Sequence, residues 1–209
     1  MILRLATAND AAGIAEIYRP VVESTPISFE FEPPGAQEMQ RRVLETLTVN
    51  PWLVCEHQGR IAGYAYAGRH SARAAYQWSV DTSVYIHADF RRCGVGRGLY
   101  KSLFEILIAQ GYCNAYAGIT LPNPGSVGLH ESVGFQPVGV YRSVGFKMGA
   151  WHDVGWWQLE LQPRMPQPRE PVSIGQVQSD ATRWQHMLAA GLACIRPAIR
   201  EVSDRPISW

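Results

Sequence analysis

The hydrophobic pattern changes period repeatedly along the chain, and each change marks a predicted element. Leu3 to Ala6 reads as a short strand, Thr7 to Asp10 offers capping side chains, and Ile14, Ile17, Tyr18, Val21 and Val22 follow at helical spacing. Ser24 to Gly35 is rich in turn formers around Phe29 and Phe31, and Gln37 to Thr48 predicts a second helix through Met39, Val43, Leu44 and Leu47. Trp52 to Glu56 and Ile61 to Gly68 predict two strands joined as a hairpin at His57-Gln58-Gly59-Arg60, and Tyr76 to His87 predicts a longer strand. Leu99, Leu103, Ile106 and Leu107 then line one face of a helix that ends before Gly111. Cys113 to Thr120 predicts a strand, Asn123-Pro124 opens a short helix running to Val133, and Gln136 to Met148 and Trp151 to Leu161 predict two final strands. The expected order is β-α-α-β-β-β-α-β-α-β-β, an α/β chain.

After residue 162 the pattern lapses. Four of the chain's fourteen prolines fall between Pro163 and Pro171, which predicts an extended linker. Beyond it, Trp184, Met187, Leu188, Leu192 and Ile195 predict an amphipathic helix over 182–195, ended by Pro197. The expected organisation is one domain over 1–162 and a Pro-rich linker with a C-terminal tail over 163–209. A chain of 209 residues can bury one substantial core and leaves little room for a second.

Composition narrows the chemistry. A net charge of +1 with 18% charged residues gives no general electrostatic case for nucleic acid or an anionic membrane, so any basic site must be local. The apolar stretches are too short for a bilayer span, and Met1-Ile2-Leu3-Arg4-Leu5 lacks the character of a signal peptide, which predicts a cytoplasmic protein. Cys55, Cys93, Cys113 and Cys194 have no metal-ligand spacing and read as reduced thiols, and no metal is expected.

The strongest local basic feature is Val84 to Leu99, a strand leading through Arg91-Arg92-Cys93-Gly94-Val95-Gly96-Arg97 into a helix. Glycines at a helix N-terminus leave backbone N–H groups unpaired where the helix dipole favours an anion, and the arginines add charge beside them. As bare chemistry this is either a phosphate cradle or a strand-to-helix loop with a basic rim. A nucleotide-triphosphate loop does not fit, because Lys101-Ser102 already lies inside the helix. A dinucleotide fingerprint does not fit either, because the third glycine is misplaced and the strand from Cys113 to Leu121 carries no carboxylate.

What does match is the R-x-x-G-x-G pattern of the GNAT superfamily of N-acetyltransferases. Across roughly residues 1 to 162 the chain resembles the phosphinothricin and methionine sulfoximine or sulfone N-acetyltransferases of that superfamily. The likeness is carried by Ser24-Thr25 through Phe29 and Glu32-Pro33, Gly63 to Ala67, Arg73 to Tyr76, Ser83-Val84-Tyr85, Leu121 to Pro124, Ser126-Val127, His130-Glu131, Gly145-Phe146-Lys147 and Trp151 to Gly155. The resemblance implies a GNAT acyl-CoA N-acyltransferase fold, a mixed twisted sheet with helices on both faces. It also implies acetyl-CoA as co-substrate, a small amino acid as acceptor, and a homodimer.

Residue by residue, the family pattern implies that Val84, Tyr85 and Ile86 pair with the pantetheine arm and that Arg91, Arg92, Cys93, Gly94, Val95, Gly96 and Arg97 surround the pyrophosphate. Asn123 and Ser126 supply further cofactor contacts or cap the helix that follows. Asp81 takes the position of the base; close relatives are expected to carry glutamate there, and the shorter side chain favours relay through water. His130 stands where many of these enzymes place the residue that protonates the departing thiolate. Phe29, Arg73 and Tyr76 match the acceptor-binding positions, arginine offering a two-pronged contact to an anionic group. The rival readings are acetylation of a different small amine, a polyamine included, and a weakly active acyl-CoA-binding sensor.

Overall fold

A computed structural model describes residues 1–196. Its elements are β1 (Ile2–Leu5), α1 (Ala11–Ser24), α2 (Ala36–Thr46), β2 (Trp52–His57), β3 (Arg60–Arg69), β4 (Ser79–Ile86), α3 (Val95–Gln110), β5 (Asn114–Leu121), α4 (Pro124–Ser132), β6 (Gln136–Lys147), β7 (Ala150–Glu160), α5 (Ile174–Gln178) and α6 (Ala181–Leu192). Among the described residues the strands form a seven-stranded sheet in the order β1-β2-β3-β4-β5-β7-β6. Every neighbouring pair is antiparallel except β4 and β5.

Strand alternation divides the core between the two faces. Leu53 and Cys55 of β2 and Ala65 and Ala67 of β3 point to the face covered by α3, α5 and α6, with Leu99, Leu103 and Leu107 among the buried residues there. Trp52 and Val54 of β2 and Tyr64 of β3 point to the other face, under Ile14 and Tyr18 of α1 and Val43 of α2. The β2–β3 hairpin turns through Gln58 and Gly59, both at positive φ (50° and 77°), the geometry that suits a tight two-residue turn.

Three expectations are corrected. Tyr76 does not begin the central strand: Ala74–Tyr76 is a 3-10 turn closed by Tyr76 N–H to Arg73 O at 3.0 Å and Gln77 N–H to Ala74 O at 3.0 Å, and β4 starts at Ser79. The tail carries an additional short helix, α5, whose Ser173 and Gln176 form a capping box. The tail's longer helix stops at Leu192, after which Cys194 and Ile195 make i to i−3 bonds to Gly191 O and Leu192 O. Its expected stop at Pro197 lies outside the described residues.

The proline-rich stretch is tied to the body by hydrogen bonds. Trp78 Nε1 donates to Arg169 O at 2.8 Å, and Gln110 Nε2 donates to both Val49 O and Val172 O at 2.8 Å. Ile174, Val177, Trp184, Met187 and Leu188 are buried in the same cluster as α3.

Candidate active site

The site begins where the sheet comes apart. β4 and β5 pair only at Ser79 with Asn114, Val80 with Ala115 and Asp81 with Tyr116, whereas β4 remains paired with β3 as far as Ile86. Beyond Asp81 the β5-facing backbone groups of β4 therefore meet an opening rather than a strand. That edge is a template for an extended chain bearing amides.

A cavity of about 740 Å³ occupies the opening. Its walls include every residue expected around the co-substrate except Cys93: Val84, Tyr85 and Ile86 from β4, Arg91, Arg92, Gly94, Val95, Gly96 and Arg97 from the loop and α3, and Asn123 and Ser126 from α4. Cys93 instead directs its thiol to Arg91 O at 3.5 Å. The loop backbone is unusual for its residues: Arg92 and Gly94 both sit at positive φ, 66° and 82°. A non-glycine residue in that region is strained, and here it belongs to the loop that lines the cavity. The helix's own ladder resumes with Gly98 N–H to Gly94 O at 2.9 Å, so the N–H groups of Val95, Gly96 and Arg97 precede it and remain available to an anion. Among the described residues, no ion pair engages Arg91, Arg92 or Arg97.

Asp81 sits at the apex of the split, part-buried. Burial raises its pKa, opposed by a hydrogen bond and attraction from a residue that sequence reading missed, His70. His70 Nδ1 lies 2.6 Å from Asp81 Oδ1, and its ring stacks on Tyr116 at 4.5 Å between centroids. Tyr76 lies against the same imidazole at 5.7 Å and Trp156 meets it edge-on at 6.3 Å. Trp156 Nε1 is buried with no hydrogen-bond partner among the described residues, an unused donor beside the His70 cluster. His70 escaped notice because it follows β3 without a motif, and its pairing with Asp81 depends on β3–β4 register.

The remaining expected residues are more scattered. Arg73 is exposed just before the 3-10 turn, three residues from Tyr76. Phe29 lies on the backbone of Gly145 in β6, where any β-carbon would collide with its ring. Lys147 holds the segment leading to Phe29: its buried Nζ donates to Val22 O at 2.6 Å and Ser28 O at 2.7 Å. Ser28 also meets Tyr18 Oη at 2.7 Å, and Tyr18 donates to Glu30, which Arg42 grips with two further bonds.

His130 is placed differently from the expectation. It is 4% exposed and absent from the cavity wall, packed against Tyr100 and Phe135. Its Nδ1 is 2.8 Å from Ser126 O, a pure acceptor, so Nδ1 carries the proton and Nε2 accepts from Tyr100 Oη at 2.7 Å. Burial lowers its pKa, which favours this neutral form. Of His130, Tyr100, Phe135 and Ser126, the residue that lines the cavity is Ser126, whose hydroxyl lies 3.3 Å from His130 Nδ1.

A split central strand, an anion loop opening the following helix and a carboxylate at the apex define an acyltransferase, and the chain matches the acetyltransferase (GNAT) domain family over residues 3–156. It belongs to that family and is an N-acetyltransferase. Among curated proteins it is similar to a phosphinothricin N-acetyltransferase of Streptomyces viridochromogenes, 41% identical over 82% of this chain and 94% of that protein. It is also similar to an L-methionine sulfoximine/L-methionine sulfone acetyltransferase of Salmonella typhimurium, 32% identical over 77% of this chain and 95% of that one. Among solved structures, a phosphinothricin acetyltransferase from Sinorhizobium meliloti in complex with acetyl-CoA superposes with a TM-score of 0.77 at 34% identity, covering 81% of this chain and 94% of that one.

Proposed function

We propose that the protein transfers the acetyl group of acetyl-CoA directly to the α-amine of a small amino acid carrying a tetrahedral phosphorus or sulfur group, such as phosphinothricin or methionine sulfoximine or sulfone. The observation that carries the reading is the opening of β4 beyond Asp81, with an anion loop at one end and a carboxylate–imidazole pair at the other. The names of the similar proteins support the acceptor class.

In this reading the backbone of Val84 to Ile86 receives the pantetheine amides as an added strand, and a strand N–H polarises the thioester carbonyl. The first-turn N–H groups of α3 with Arg91, Arg92 and Arg97 hold the pyrophosphate. An α-ammonium with a pKa of about 8 must lose a proton before it attacks. Asp81 and His70 act as the base, the imidazole extending the reach that the short aspartate lacks. Ser126 donates to the departing sulfur, with His130 a positioning residue behind it. Arg73 takes the acceptor's anionic group, Tyr76 and Phe29 wall its side chain, and Trp156 Nε1 donates to one of its oxygens. The dimer of the family reading is supported by Val138, Tyr141, Val144, Phe146 and Trp151, all exposed on β6 and β7, with β6 at the sheet edge. Among the described residues no helix is long and apolar enough to cross a membrane.

The test is release of free thiol from acetyl-CoA against phosphinothricin, methionine sulfoximine, methionine sulfone, ordinary amino acids and a polyamine. Release confined to the phosphorus and sulfur amino acids is expected. Release only with a polyamine or ordinary amino acids would overturn the acceptor class, and binding of acetyl-CoA without turnover would favour a sensor.

A further inference from the structure

The C-terminal segment beyond the family match returns to the anion loop. Helix α6 seats on α3 where two glycines face each other: a β-carbon on Gly191 would strike Gly98 O and Ser102 Oγ, and Ser102 Oγ donates to Leu188 O at 3.2 Å. The side chain of Ile195 fills the space beside Gly98, where an added β-carbon would come within 2.6 Å of it. From that anchor the chain runs along the loop. Cys194 O occupies the space that a side chain on Gly94 would need, and Arg196 N–H donates to Cys93 O at 2.9 Å. Cys194 and Arg196 line the same cavity as Arg91, Arg92 and Arg97.

We propose that this segment is a working wall of the acetyl-CoA site, in which Arg196 presents its guanidinium to a phosphate of coenzyme A and α6 holds it there. The inference rests on the acetyl-CoA reading of the cavity. Coenzyme A carries a 3′-phosphate in addition to the pyrophosphate assigned to Arg91, Arg92 and Arg97, and a guanidinium matches a phosphate oxygen pair in shape as well as charge. The backbone contact serves the same end. The Arg196 N–H bond to Cys93 O fixes the segment against the loop, while the donors of the first α3 turn stay free. Glycine at 94 and 98 thus accommodates the tail as well as the loop.

Calorimetric titration with coenzyme A and with 3′-dephospho-coenzyme A tests this without any acceptor. The variants are Arg196→Ala and, as a charge-matched control, Arg183→Ala, which is exposed on α6 and outside the cavity wall. Arg196→Ala is expected to weaken coenzyme A binding about tenfold, the loss of one charge-assisted contact, with Arg183→Ala unchanged. An equal loss with both ligands assigns the pyrophosphate, and a loss with coenzyme A alone assigns the 3′-phosphate. Unchanged affinity in Arg196→Ala would overturn the inference, and tighter binding would make the segment a competitor for the site. A wild-type protein that binds neither ligand would sink the acetyl-CoA reading itself, and this inference with it.

Discussion

The two ends of the split in the sheet are built from different materials. The end beyond Asp81 is mostly backbone: an unpaired strand edge, the first turn of α3 and the α4 cap. The end at Asp81 is mostly side chains: His70 after β3, Tyr76 in a 3-10 turn, Tyr116 on β5 and Trp156 on β7. A backbone site is written in a short run of sequence, because glycine positions and helix starts are local. A side-chain site is written in the pairing of distant segments. The first end can keep one ligand while the second is refitted to different acceptors.

Substitutions can break this division. The largest expected effect is at the apex: Asp81→Asn should lower kcat by about 10² to 10⁴ while leaving the Kd for acetyl-CoA unchanged. His70→Ala should cost less, about tenfold to a hundredfold, the worth of a hydrogen bond to a charged group. Because burial raises the Asp81 pKa, the acid limb of the rate should lie above the ordinary carboxyl value of 3.8 and should disappear in Asp81→Asn. A pH–rate profile of the three proteins checks both points.

Gly94→Ala should do the reverse. A side chain at φ 82° costs about 1–2 kcal/mol and meets Cys194 O, so affinity for acetyl-CoA should fall about tenfold with little change in kcat. Equal losses in both parameters would break the comparison.

The smallest effect is on the loop between α1 and α2 that carries Phe29. Glu30 has a lowered pKa, chiefly through its hydrogen bonds from Arg42. Its stabilisation is therefore fully present above the ordinary value of 4.5 and is lost as pH falls through the depressed folded value. Melting temperature across that acid range should fall less in Glu30→Gln, by a few degrees at most.

The same contrast explains what was legible beforehand. The strands and helices through residue 162 follow from apolar periodicity, and the loop residues from Arg91 to Arg97 from their glycines and charge. Tyr76 and Trp78 have strand-like side chains and so predict too early a start for β4, whereas local N–H bonds to Arg73 O and Ala74 O fold that stretch into a turn. His70 and Trp156 carry no local signal: each becomes relevant through pairing between β3 and β4 or between β5 and β7. His130 was assigned by its position in a pattern, and only three-dimensional packing shows both ring nitrogens occupied by Ser126 and Tyr100. The tail's α5 is only five residues long, too short for periodicity to reveal.

The central claim is that the cleft divides at Asp81, with acetyl-CoA confined to the backbone-built end. The most direct measurement is a titration of acetyl-CoA into isotopically labelled protein, followed through backbone amide resonances. The account predicts the largest shifts at residues 83–86, 94–97, 123, 125 and 126, with residues 70–76 nearly unmoved until an acceptor is added. Shifts centred on His70, Arg73 and Tyr76 with a silent α3 N-terminus would contradict it.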